Sequence, residues 1–145
     1  MSKKIKFKIV TPERTVFDAE VEQITLPVTD GEVTIMPDHR SYIASLKAGE
    51  VMFKIDNKEN LLVVSSGFVE FNNNTLVVLA DTAESAEEID ITRAQEARKR
   101  AQELKNEKVT MNDIEYARVA AAIEKETARI RVARKHHSSR GIKID

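Results

Sequence analysis

The hydrophobic period of this chain changes near residue 81, and that change limits the folds open to it. Up to that point apolar residues recur at every second position, as at Ile5, Phe7 and Ile9, which lysines separate. A period of two places alternate side chains on opposite faces of a β-strand. Beyond about residue 90 the apolar residues follow the spacing of one face of an α-helix. We therefore expect a β part followed by a helical part.

Turn signals divide the β part into many short strands. Polar turn sequences stand at Asp30-Gly31, at 56–58 and at 72–74, and β-branched or aromatic residues flank each of them. Turns at intervals of about eight to twelve residues, with no helical period between them, are typical of an antiparallel sandwich or barrel. We predict an all-β sandwich/barrel N-terminal domain over residues 1–81, in which the apolar run Leu61–Val64 is covered on both faces.

The acidic, small-residue stretch DTAESAEE follows the β part and is interpreted as the start of a linker over residues 82–90. Two helices are predicted after it, from 91 to 106 with Asp90 as the N-terminal cap, and from 113 to 135. Residues 136–145 are predicted to form a flexible tail.

The simplest arrangement of the two predicted helices is an antiparallel hairpin over residues 91–135. Alanines on the inner face of the second helix, at Ala117, Ala121 and Ala128, would let the helix axes approach closely. Such a face buries less apolar area than a leucine-rich one, at roughly 25 cal/mol per Å². Short helices are also marginal by themselves in water. We therefore expect the hairpin to be the more movable part.

Composition excludes several classes of protein. The 23 basic and 24 acidic residues give a formal net charge of −1, so the chain as a whole has no field that would attract nucleic acid or an anionic membrane. The absence of Cys excludes disulfides, thiolate catalysis and Cys-ligated zinc, and it suits a reducing compartment. No apolar run approaches the roughly 18 residues of a spanning helix, and the N-terminus does not resemble a signal peptide. We expect a cytoplasmic protein that meets a membrane only through another protein.

Catalytic motifs are absent from the sequence. It has no glycine-rich phosphate loop, no Gly-x-Ser-x-Gly motif and no His pair at metal-ligand spacing on an ordered element. His136 and His137 are adjacent in the predicted tail and are interpreted as part of a solvated terminus. His39 follows Pro37 in a stiffened loop, for which contact with a partner is one interpretation. We predict no catalytic residue and no metal site.

Two cationic stripes are predicted on the hairpin. Arg93 and Arg100 are seven residues apart on the first helix, and Arg118, Lys125 and Arg129 lie at positions i, i+7 and i+11 on the second. At about 100° per residue, each set stays within roughly 40° of a single line along its helix. The stripes suit a polyphosphate or an acidic partner. They also fit solvated faces that pair with neighbouring glutamates.

Two segments, together with the domain order, resemble a known family. They are DGEVTIMPDH at residues 30–39 and SSGFVE at residues 65–70. With a sandwich followed by a helical hairpin, they resemble the epsilon subunit of the bacterial rotary (F-type) ATP synthase over essentially the whole span from 5 to 133. The family usually has Gly and Leu where this chain has Thr34 and Met36.

The resemblance implies partners and a location. In that family the sandwich binds the central gamma subunit and rests on the ring of c subunits, so Glu32 and His39 would face the c-ring loops and the foot of gamma. The extended hairpin would reach the alpha/beta catalytic head. The chain would then lie at the cytoplasmic face of the bacterial cell membrane as a peripheral subunit.

The resemblance also implies a regulatory nucleotide. The segment Ile89-Asp90-x-x-Arg93-Ala94 looks like the signature by which some bacterial epsilon subunits bind ATP when the hairpin is folded on the sandwich. The remaining positions that it places around the nucleotide are Glu84, Arg100, Arg118, Lys125 and Arg129. Family members that bind ATP commonly have Arg where Lys125 stands, and Lys cannot form a bidentate fork with phosphate.

The resulting hypothesis is a non-catalytic rotor subunit of the central stalk, which couples proton flow to ATP synthesis and inhibits ATP hydrolysis through a mobile hairpin. No cofactor is required, and ATP is the expected regulatory ligand. The alternative hypothesis is a nucleic-acid-binding module that uses the basic hairpin. The near-neutral total charge and the lack of an aromatic stacking platform argue against it.

Overall fold

The computed structural model describes residues 3–106 and 112–139, without the side chains of 137–139. Ten strands precede a 3₁₀ turn at Ala86–Glu88 and two α-helices in this part of the chain. The strands are β1 (Ile5–Val10), β2 (Thr15–Val21), β3 (Gln23–Val28), β4 (Gly31–Ile35), β5 (Tyr42–Leu46), β6 (Gly49–Ile55), β7 (Lys58–Val64), β8 (Gly67–Asn72), β9 (Thr75–Ala80) and β10 (Ala83–Ser85). The helices are α1 (Ile91–Asn106) and α2 (Asp113–Ser139).

The strands form one curled sheet in the order β10-β7-β6-β3-β5-β8-β9-β1-β2, with β4 paired to β3. All described pairings are antiparallel except β1 with β9. Alternate residues of the strands point inward, and the rings of Phe7, Phe17 and Phe53 pack together with centroids 4.7 to 5.4 Å apart. The predicted all-β sandwich/barrel followed by a helical hairpin is therefore confirmed.

Turn chemistry sets the register of two hairpins. Asp56 and Asn57 join β6 to β7, and Asn73 and Asn74 join β8 to β9, all four with positive φ between 49° and 61°. Asn and Asp adopt this left-handed region more readily than other residues with a side chain, and two such residues in succession match the twist of adjacent strands. The turns that the sequence predicts at these positions are confirmed.

Strand β7 has both faces covered, which explains its uninterrupted apolar run. Leu62 and Val64 point into the sandwich core, whereas Leu61 and Val63 point outward. The outward residues are covered by α2, which packs across β6 and β7. The prediction for Leu61–Val64 is correct, and the element that covers the second face is the hairpin.

The hairpin begins as predicted but differs in extent. Asp90 caps α1, since its Oδ1 accepts the backbone N–H of Arg93 at 3.1 Å. Asn112 and Glu115 form a reciprocal capping box at the start of α2. The helix then continues to Ser139, so the predicted end at 135 is too early and residues 136–139 of the predicted tail are helical.

The first part of the segment predicted as a linker forms an edge strand of the sheet. Strand β10 pairs antiparallel with β7, with Glu84 opposite Val63, and the 3₁₀ turn follows directly. The inner face of α2 also differs from the prediction. Ala128 is buried, but Ala117 and Ala121 are exposed because the first half of α2 extends beyond the sandwich contact.

Gly67 offers a test of how tightly β8 packs on β9. A Cβ at this position would overlap the carbonyl oxygen of Leu79 and would lie 2.8 Å from its carbonyl carbon. Because these are backbone atoms of a paired strand, neither can move aside. We expect Gly67→Ala to lower the free energy of unfolding by about 2 to 3 kcal/mol, measured by urea denaturation. Ser66→Ala, at the exposed neighbouring position, should leave it nearly unchanged, and equal effects of both variants would contradict this packing.

Candidate functional site

The hairpin meets the sandwich at a polar network centred on Arg129 of α2. The Nε of Arg129 donates a hydrogen bond to Glu84 on β10, and its Nη2 lies 3.4 Å from the second oxygen of that carboxylate. Its Nη1 donates to Oε2 of Glu126 at 2.7 Å. The side chains of Arg129, Glu84 and Glu126 are only 17, 25 and 12 % exposed. One guanidinium thus faces two carboxylates in a place that water reaches only in part.

The charge on Arg129 is stabilised by its two partners. Burial by itself lowers the pKa of the guanidinium, but the hydrogen bonds to Glu126 and Glu84 and their negative charges raise it above its ordinary value. With both carboxylates ionised, the network as a whole is negatively charged. A further anion that approached Arg129 would therefore have to displace one of the two glutamates.

The start of α1 packs directly against this region. Ile89 and Ala94 are buried, and Ile89 belongs to the apolar cluster under α2 together with Val63 and Ala128. The carboxylate of Asp90 is engaged in capping the helix. The motif residues Ile89, Asp90 and Ala94 therefore have structural contacts of their own, which hold the N-terminus of α1 beside the sandwich.

The remaining cations of the predicted nucleotide site are open to solvent. Arg93, Arg100 and Arg118 are exposed, and Lys125 is half-buried. Their side chains make no hydrogen bond or ion pair with any other described residue. The structure thus brings together Glu84 and Arg129 of the predicted set. It adds Glu126, which helical spacing indicates only as one of the glutamates that neighbour the cations within α2.

Glu32 lies on the rim of a cleft of about 580 Å³ between α2 and the strands β3, β4 and β6. Two ion pairs tie α2 to the sandwich along this cleft, Lys47 with Glu124 at 3.4 Å and Lys135 with Glu50 at 3.0 Å. Both lysines are more than half exposed. Exposed ion pairs of this kind contribute at most about 1 kcal/mol each to the stability of the contact between α2 and the sandwich.

His39 lies in a loop between β4 and β5 that is fixed from several sides. Its Nδ1 is 2.7 Å from the carbonyl oxygen of Arg40, which can only accept, so the ring carries a proton on that nitrogen. The ring also packs edge-on against Tyr42 and Phe71. The backbone N–H of Asp38 donates to Asn74 at 2.6 Å, which fastens the loop to the β8–β9 turn.

Asp38 also pairs with Lys3 at 2.8 Å. The hydrogen bonds from Lys3 and Asn74 lower the pKa of the Asp38 carboxyl, even though slight burial opposes the shift. The pKa of Asp38 is lower in the folded state than in the unfolded state. The stabilisation that its hydrogen bonds supply is therefore present at pH values above the ordinary carboxyl pKa, and it is lost as the pH falls through the folded-state pKa.

An exposed apolar surface lies on the outer side of β5, β8 and β9. Ile43, Phe68 and Leu79 are 75, 63 and 52 % exposed, and Phe68 pairs directly with Leu79 across the two strands. Ile43 lies opposite Glu70 on β8, so it is a diagonal neighbour of Phe68. Exposed apolar side chains grouped on one sheet face are typical of a protein interface. This surface is absent from the sequence-based predictions. The signal was the uninterrupted run Leu76–Leu79, in which every second residue has to point outward.

Among the described residues, no group of three or more His, Asp or Glu side chains is placed to hold a metal ion. Neither of the two α-helices, as far as each is described, combines the length and the apolar character needed to cross a membrane.

Comparison with known families divides the chain at the same point as the structure does. Residues 4–86 match the β-sandwich domain, and residues 87–134 the long α-helix domain, of the ATP synthase delta/epsilon chain. The fold and the two matches define a small ATP synthase subunit with one β and one helical domain.

Curated relatives make the assignment more specific. The chain is 44% identical to the ATP synthase epsilon chain of Dehalococcoides mccartyi, covering 91% of this chain and 94% of that one. It is 39% identical to the epsilon chain of Desulforamulus reducens, covering 92% and 99%. The chain therefore belongs to the epsilon-chain family of ATP synthase, as the sequence motifs predict.

Solved structures share the fold. A chain in the mitochondrial ATP synthase of Euglena gracilis, determined as OSCP/F1/c-ring, matches with a TM-score of 0.74 at 19% identity, covering 86% of this chain and 78% of that one. A chain of the central stalk/c-ring of the Tetrahymena thermophila enzyme matches with a TM-score of 0.59 at 13% identity, covering 93% and 97%. At these identities the likeness concerns the fold alone.

The Arg129 network can be tested without nucleotide. Arg129→Gln leaves Glu84 and Glu126 facing each other without their cation, which costs on the order of 1 to 3 kcal/mol once partial exposure is allowed for. We expect native-state hydrogen exchange of α2 amides to become about tenfold faster or more, while β1 and β9 keep their rates. Arg118→Gln is the matched control, the same change at an exposed arginine of α2. Equal acceleration in both variants would contradict a role for the network.

Proposed function

We propose that this chain is a non-catalytic rotor subunit in the central stalk of a proton-translocating ATP synthase, where it couples proton flow to ATP synthesis. The proposal is supported by the epsilon-chain relatives and by a structural neighbour from the central stalk/c-ring of the Tetrahymena thermophila enzyme. The subunit would lie at the cytoplasmic face of the bacterial cell membrane, peripheral to it, in contact with the gamma subunit and the c-subunit ring.

Docking on these partners requires a surface that keeps its shape. The apolar face of Ile43, Phe68 and Leu79 supplies contact area, which we assign to gamma. The His39 loop is held by its hydrogen bonds and ring contacts, so it presents a fixed shape. We assign His39 and Glu32 to contacts with the c-ring loops and the foot of gamma.

A regulatory role rests on one observation, the small apolar interface between hairpin and sandwich. Its α2 side consists of Ala128, Val132 and Ala133. Small side chains gain little at roughly 25 cal/mol per Å² of apolar area, and the lysines of the Lys47–Glu124 and Lys135–Glu50 pairs are exposed. The hairpin can therefore leave the sandwich while the β core stays folded. Once extended, the basic second helix would engage acidic segments of the alpha/beta head and block rotation in the hydrolysis direction.

ATP would act by favouring the folded position. A ligand that binds only this position stabilises it by RT ln(1 + [ATP]/Kd), about 2.7 kcal/mol at a hundredfold excess over Kd. The proposed ligands are the exposed cations Arg93, Arg100 and Arg118, with Lys125 and Arg129. Because Arg129 is already paired with Glu84, ATP would have to replace that carboxylate. We therefore propose weak, millimolar sensing of ATP.

Isothermal titration calorimetry of the full chain tests the nucleotide site. We expect saturable ATP binding, weakened about fivefold to tenfold by Arg100→Gln because a charge-assisted hydrogen bond to phosphate is lost. Lys99→Gln is the control for loss of one positive charge on the same helix. Absence of binding at millimolar ATP would contradict ATP sensing but would leave the stalk role intact.

Val132→Asp tests the switch in the assembled ATP synthase. Val132 is fully buried between α2 and the sandwich, and a carboxylate there costs several kcal/mol unless the hairpin leaves the sandwich. We expect slower ATP hydrolysis, because the extended inhibitory position gains population. The complex that carries Ala117→Asp, at an exposed position of α2, should hydrolyse ATP at the normal rate. An unchanged rate with Val132→Asp, in a complex that retains the subunit, would contradict the switch.

A further inference from the structure

We propose that a cationic cleft between α1 and α2 binds a phosphoryl anion, at a site separate from the nucleotide site proposed above. The cleft has a volume of about 320 Å³. We call it the arginine cleft, and its lining residues are Arg98, Thr127, Ile130, Arg131, Arg134 and Lys135.

The arginine cleft concentrates positive charge, and only Lys135 among its cations has an ion-pair partner in the described part of the chain. Its lining contains four cationic side chains and no carboxylate. Arg98, Arg131 and Arg134 make no side-chain hydrogen bond or ion pair within the described part of the chain, whereas Lys135 is paired with Glu50. Like charges held together in this way repel one another, and an anion in the cleft would remove that repulsion.

The donor set suits phosphate oxygens. Guanidinium groups present forked N–H donors that match two oxygens of one phosphoryl group, and three arginines line this cleft. The hydroxyl of Thr127 adds an uncharged donor. Ile130 is a buried apolar residue of the lining, so it would shield part of a bound anion from water and strengthen the attraction of that anion to the arginines.

Helical spacing separates this cleft from the predicted nucleotide ligands. At about 100° per residue, Arg131 lies about 200° around α2 from Arg129, and Arg98 lies about 200° around α1 from Arg100. Arg134 is likewise about 180° from Lys125. The arginine cleft therefore opens on the other side of the hairpin, and the two sites do not share a residue.

Both helices contribute to the cleft, so its ligand would hold them together. Arg98 comes from α1 and the other lining residues from α2. An anion that bridges them favours the closed hairpin over any arrangement in which the helices separate. Two sources carry the same chemistry, free inorganic phosphate and the phosphate chain of a nucleotide.

The test is a titration of the isotope-labelled full chain with sodium phosphate, followed by NMR, with sodium chloride at equal ionic strength as reference. We expect saturable shifts of residues 98, 127, 130, 131 and 134, and about a tenfold or greater loss of affinity in Arg98→Gln/Arg131→Gln, because two charged donors are removed. Lys99→Gln, a neighbouring exposed cation outside the cleft, should bind phosphate normally.

A second arm with ATP distinguishes the sources. If ATP shifts the NMR signals of the cleft residues and added phosphate suppresses those changes, the ligand is a nucleotide phosphate. If only phosphate shifts these signals, the ligand is the free ion. Arg100→Gln should keep phosphate binding even where it loses ATP, so the two proposals can fail separately. The arginine cleft proposal would be overturned by shifts no larger than those with chloride, by unchanged affinity in the double variant, or by binding of a poly-glutamate peptide but not phosphate.

Discussion

The outward face of β7 holds the two domains of this protein together. Val63 projects from that face into a cluster with Ala128, Val132 and Ala133. Because these side chains are small, the axis of α2 can approach the sheet closely. That close approach brings Arg129 within hydrogen-bonding distance of Glu84 on the neighbouring strand. The polar network, the clefts beside α2 and the placement of α1 all depend on this contact.

The two halves of the molecule are stabilised in different ways. The sandwich buries Phe7, Phe71 and many branched aliphatic residues, and its strands are paired along their length. The hairpin has a short apolar contact and relies on charged groups that are partly exposed. Removing one member of the Arg129 network leaves an uncompensated charge in a partly buried place, whereas removing an exposed ion pair changes the stability little. The hairpin is thus the part whose position a modest change in binding energy can alter.

Local signals in the sequence were sufficient to predict the sandwich, the turns and the first residues of both helices. Asp56, Asn57 and Asp90 act through their own neighbourhood, so their roles follow from sequence spacing. Strand β10 was not predicted because a three-residue acidic segment has no strand period, and its pairing with β7 is decided by tertiary contact. The exposure of Ala117 was missed for a related reason, since periodicity shows which residues share a helix face but not how far the partner surface extends.

The Arg129 network shows why the candidate site could be named but not understood from sequence. Glu84 and Arg129 are 45 positions apart, and nothing in their spacing indicates that one neutralises the other. This pairing sets the cost of anion binding. At Arg129 an anion competes with two carboxylates already in place, whereas at Arg131 and Arg134 no described carboxylate has to be displaced. Cationic side chains that look equivalent along α2 therefore differ in their availability to a phosphate, and the difference arises from the acidic residues that the fold places beside them.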